Sequence, residues 1–139
     1  MSENIPTPDN HREHLTQLRE ALLQLHKALV NSERFSYEQN IGSIPSPGHF
    51  LQLLTNDPWF AWLHPVSELI VAMDTALDAK ERLTPEGAEV LVKQARTLLV
   101  TSETGEGYAR HYYEAVQRDP DVLFAHVTAS RIINPKPAK

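Results

Sequence analysis

His64 and Glu68 stand four residues apart, and His111 and Glu114 stand three apart. On a helix either spacing puts both side chains on one face. Imidazole nitrogen and carboxylate oxygen are donors that iron, manganese and zinc accept. Two such faces meeting inside a helical bundle would make a metal site of His64, Glu68, His111 and Glu114. A second constellation overlaps the first. Trp59, Trp62, His64 and Pro65 fall within one short stretch, where two indoles beside an imidazole and a backbone irregularity would line a ligand pocket. His11 and His14, with Glu13 between them, form a third group, expected on a frayed first turn.

Each constellation has a plainer reading, and the plainer one is favoured. Di-metal bundle sites use Glu-x-x-His on two helices and single glutamates on two others. Here the order is His111-x-x-Glu114, and Glu13 and Glu20 have no clear inward placement. His64-x-x-x-Glu68 has the spacing of one hemerythrin element, but the rest of that pattern is missing. All four side chains are expected to be solvated or locally paired, and no cofactor is expected. His26, near Leu22 and Leu29, and His126, near Phe124, read as half-buried histidines. Tyr108, Tyr112 and Tyr113 read as core and rim. The glycines of "TGEGYA" lie between helices, as a helix stop rather than a phosphate cradle. No nucleophile elbow, P-loop, dinucleotide fingerprint or zincin helix occurs in the sequence.

These residues must be held by helices, and prolines mark where the helices start. Thr7-Pro8, Ser46-Pro47, Asp57-Pro58, Thr84-Pro85 and Asp119-Pro120 each pair an N-cap residue with proline at the first helical position. Leu15, Leu18, Leu22, Leu25 and Leu29 alternate steps of three and four, an apolar seam on a first helix from Pro8 into the mid-30s. Residues 40–49 read as a loop, a crossover or lid. "GHFLQLLTN" reads as a short helix or turn, and 84–102 and 107–118 as further helices. "DPDVLFAHVTASRII" reads as a short closing helix, with "VLFAHV" ambiguous between helix and strand.

The stretch 57–78, "DPWFAWLHPVSELIVAMDTALD", is the second long helix. Wound at about 100° per residue, Trp59, Trp62, Leu63, Val66, Leu69, Ile70, Met73 and Leu77 share one face. His64, Ser67, Glu68 and Asp74 share the other, with Phe60 and Val71 among them. Pro65 lacks the N–H that would bond the Ala61 carbonyl, so a kink or a break into two helices is expected there. The carbonyls near Ala61 are expected to need another partner.

Composition narrows the classes. At 139 residues without cysteine, the chain fits one domain with no disulfide, thiolate metal site or cysteine nucleophile. A net charge of -5, from 18 acidic against 13 basic residues, argues against nucleic-acid binding. No run is long and apolar enough to span a membrane, and the opening residues lack a secretory pattern. A cytoplasmic protein is expected.

The run "DPWFAWLHPVSELIVAMDTAL", with the later "RDPDVLFAHV" and the earlier "SERFSYEQNIGSIPSPGHFLQLL", resembles a family of small bacterial helical proteins. There the Asp-Pro-Trp-Phe start and the Trp-Leu-x-Pro turn mark the second long helix. The resemblance covers most of the chain and implies a bacterial, cytosolic, all-helical protein. It carries over no activity, cofactor or functional residue.

The expectation is a single all-α domain over 1–139: an antiparallel four-helix bundle with a kinked second long helix, a short closing helix and frayed ends at 1–7 and 132–139. A non-enzymatic role through protein–protein contact is favoured. The first helix is long, and a seam only partly covered by shorter neighbours would pair across a homodimer interface. The alternative is a metal- or small-molecule-binding bundle.

Overall fold

The computed structural model describes residues 8–79 and 83–134. These form six α-helices and one 3-10 helix: α1 (Pro8–Asn40), α2 (Pro47–Asn56), the 3-10 helix (Pro58–Leu63), α3 (His64–Asp78), α4 (Pro85–Leu98), α5 (Tyr108–Arg118) and α6 (Pro120–Ile133). No strand occurs among the described residues, and "VLFAHV" is helical. Among the described residues no helix is long and apolar enough to cross a membrane.

The proline rule holds at the four starts whose cap residue is described. Ser46 Oγ accepts the His49 N–H at 3.1 Å, Asp57 Oδ1 that of Trp59 at 2.8 Å, Thr84 Oγ1 that of Gly87 at 2.9 Å, and Asp119 Oδ1 that of Asp121 at 2.9 Å. Each satisfies a donor that the first turn leaves free, and the proline beside it has no N–H to satisfy. Thr7 lies outside the described residues.

α1 is longer than its periodicity predicts, and it is the element the others wrap. It packs chiefly on α6, then on α3 and α4, and also touches α5 and the 3-10 helix. Leu15, Leu18, Leu22, Leu25 and Leu29 are each at most 1% exposed. Full burial of such a side chain contributes about 1.5–3 kcal/mol. The seam therefore has its partners within the chain, and the expected reason for dimerisation through it is gone. α6 supplies much of the cover. It is no short closing piece: its 14 residues equal the length of α4. Ile133, expected to fray, is 5% exposed.

The basic residues at the start of α1 hold other elements rather than fray. His14 Nε2 donates to the Ile132 carbonyl at 2.7 Å, and His11 Nε2 to that of Leu83 at 2.7 Å. Arg12 donates to the Leu77 carbonyl. Ile132 and Leu77 lie in the last turns of α6 and α3, where carbonyls lack intrahelical partners and cations are favoured. At the other end of α1, Glu38 accepts the Ile44 N–H at 3.0 Å, and Ile44 is buried. The chain then enters α2, where Arg34 lies 4.8 Å above the Phe50 ring.

Candidate functional site

Asp57-Pro58 starts a helix as expected, but its winding is 3-10. Side chains three apart then eclipse each other, and the helix advances about 120° per residue. Phe60 and Leu63 stack in one column and enter the core, at 0% and 2% exposure. Trp59 and Trp62 form the next column and are half-buried. This overturns the placement of Phe60 on the polar face, because a wheel drawn at α-helical pitch loses phase over these residues. Pro65 also changes meaning. α3 begins at His64, so Pro65 lies in a first turn, where its missing N–H costs little. The Ala61 carbonyl is not orphaned, because it accepts the His64 N–H. Of the kink or break expected here, the structure has the break: two consecutive helices of different pitch, the second starting at His64.

The tryptophan column borders a groove of about 310 Å³. α1 gives one wall, Glu33 and Ser36, and α5 the other, His111, Glu114 and Arg118. His111 stacks on Trp62 with centroids 5.4 Å apart and planes 18° apart. Trp59 meets Tyr37 edge-on at 5.6 Å. Among the described residues the buried polar side chains are Ser32 and Glu33, 4% and 7% exposed. Arg118 holds both: Nη2 reaches Glu33 Oε2 at 2.9 Å, and Nε and Nη2 reach Ser32 Oγ at 3.1 and 2.9 Å. A buried carboxylate needs such pairing, because desolvation alone would penalise its charge. Glu114 pairs with Arg110 at 2.9 Å on the exposed side.

Both carboxylates of the groove are thus occupied, but several donors are not. The indole Nε1 atoms of Trp59 and Trp62 are buried without an acceptor. Arg118 carries five N–H donors, and Nη1 makes no bond among the described residues. Beneath Trp62, Tyr108 lies 5.6 Å away and stacks on Tyr112 at 5.8 Å. The Tyr112 hydroxyl donates to His126 Nδ1 at 2.6 Å. Burial holds the His126 imidazole below its ordinary pKa, favouring the neutral ring. Burial, with Tyr108 nearby, pushes the Tyr112 hydroxyl up, so it stays a donor.

The structure separates the residues that sequence spacing grouped. His64 Nε2 donates to the Leu54 carbonyl at 2.9 Å, in a recess with His26 and Ser67. Glu68 and Pro65 line a shallow groove between α3 and α4 with Gln94 and Leu98. Of the four metal candidates, His111 and Glu114 share the tryptophan groove, whereas Glu68 and His64 line two other recesses. No cluster of three metal-binding side chains occurs among the described residues. Of the pocket candidates, Trp59 and Trp62 line the groove, and His64 and Pro65 do not.

Sequence reasoning missed Glu33, Ser36 and Arg118. A signal was present: Ser32 and Ser36 follow Leu29 at the next seam positions, where leucine would continue the pattern, and Glu33 lies beside Ser32. A polar pair in an apolar seam announces a buried partner. "TGEG" was read as a helix stop, yet Gly107, at φ +74°, directly precedes α5 and shapes the entry to the element carrying His111 and Arg118. Comparison with family models, with curated proteins and with solved structures finds no match for this chain.

Proposed function

We propose that the chain is a non-catalytic helical binding protein, and that the Trp59–Trp62 groove takes a small organic carboxylate with an apolar ring or chain. The carrying observation is that both tryptophans whose buried indole N–H groups lack an acceptor line one groove with Arg118. A buried donor left unpaired costs about 1–3 kcal/mol, which a ligand oxygen recovers once the groove wall shifts to admit it. A carboxylate supplies two such oxygens and suits a guanidinium. The indole and imidazole rings suit the apolar part. The groove's own carboxylates, being paired to Arg118 and Arg110, leave its donors for the ligand.

The same proposal treats the architecture as an antiparallel four-helix core of α1, α3, α4 and α6, with α5 and the 3-10 helix as the walls of the groove. The mutual packing of α1 with α3, α4 and α6, and of α4 with α3 and α6, supports it.

Both tryptophans of the chain lie at the groove, so indole emission reports on it selectively. Titration with phenylacetate is expected to change the emission saturably, with a dissociation constant at or below about 1 mM. Phenylacetamide, which lacks the charge, is expected to bind at least about tenfold more weakly. Arg118→Gln, confirmed folded by circular dichroism, should remove that preference. No saturable response to either compound sinks the proposal.

A further inference from the structure

With the leucine seam covered, self-association needs another surface, and one is present between α1 and α6. Phe124, on α6, is 74% exposed, the largest exposure among the large apolar side chains described. Beside it is a groove of about 350 Å³ floored by the small residues Ala21, Ala28 and Ala125. Lys27 on α1 and Asp121 on α6 line the same groove, and neither is ion-paired among the described residues. Phe35, 64% exposed, extends the stripe along α1, four residues beyond Asn31.

We propose that this α1–α6 face binds a second copy of the same chain across a two-fold axis. A two-fold contact puts the same patch on both partners, so a patch must complement itself. This one carries a protruding ring beside a groove of small side chains. Each Phe124 then enters the groove of the other chain, as a central aromatic anchor does in stable interfaces. The patch also carries one cation and one anion. Under the two-fold operation Lys27 meets the partner's Asp121, and Asp121 meets the partner's Lys27. A partner of unrelated sequence has no reason to repeat that opposite pair. The inference is independent of the carboxylate groove, which lies on the α5 side and shares none of these residues.

The test uses sedimentation velocity over a concentration series, with circular dichroism confirming that each variant folds. Wild type is expected to dimerise, and Phe124→Glu to raise the dissociation constant at least about tenfold. Because the ring is exposed within one chain, folding should survive that change. Lys27→Glu alone places two acidic residues opposite each other twice over, and Asp121→Lys alone does the same with two basic ones. Each variant should be weakened by itself. An equimolar mixture of the two creates two opposite pairs and should recover the dimer, which charges meeting only within one chain could not produce. A wild type monomeric up to about 100 μM, a dimer indifferent to Phe124→Glu, or a mixture no tighter than its components each overturns the proposal.

Discussion

Arg118→Met keeps an apolar stem beside the tryptophans but strips Glu33 of its ion-pair partner. With Glu33 7% exposed and the arginine side chain itself 39% exposed, the expected loss is about 1–3 kcal/mol, read from the midpoint of urea unfolding. Glu33→Gln, which removes the charge along with the pairing, should cost less. Histidine burial gives a second expectation. His126 and His26 are both pushed below the ordinary value of 6.5 by burial, so the unfolded chain takes their protons first. Their contribution to stability is whole above pH 6.5 and is lost progressively as pH falls below it. Melting temperature should drop on acidification, and His126→Gln, which keeps an acceptor for Tyr112 without titrating, should flatten that slope. None of these partnerships was legible from spacing. Ser32 and Arg118 meet across 86 residues of sequence, and His14 and Ile132 across 118. Periodicity names the face a side chain occupies but not what faces it.

The helix starts at Pro47, Pro58, Pro85 and Pro120 were legible because each has a local cause, a capping oxygen followed by a proline. Replacing Asp57 by alanine should cost about 1 kcal/mol and shift tryptophan emission, since the cap positions the column that bears both indoles. The winding of the following turn was not legible. Residues 58–63 have an apolar pattern compatible with either pitch, and the two pitches send Phe60 to opposite sides. Pro65 was read as an interruption because α3 was assumed to begin earlier. Placed in a first turn, it should tolerate alanine within about 0.5 kcal/mol by thermal unfolding. A loss above about 2 kcal/mol would contradict that placement.

The all-helical class and the seam of α1 could be read from the chain directly, but the seam's cover could not. It comes from α6, at the far end of the described residues, and from α3 and α4 between. Since α1 touches α3, α4, α5 and α6, unfolding should be a single transition, with helical ellipticity and tryptophan emission coincident. Leu22→Ala should lower the free energy of unfolding by about 2–5 kcal/mol, read from the shift of that transition. The remote cover of α1 also has a consequence for biosynthesis. As the polypeptide leaves the ribosome, α1 emerges before the helices that cover it, and its five leucines stay partly open to water until residues 120–133 have followed. Throughout that interval the nascent chain offers a sticky amphipathic rod, attractive to chaperones or to neighbouring nascent chains. Translation arrested before Pro120 should therefore yield an aggregating product, while release a few residues after Ile133 should yield a folded one.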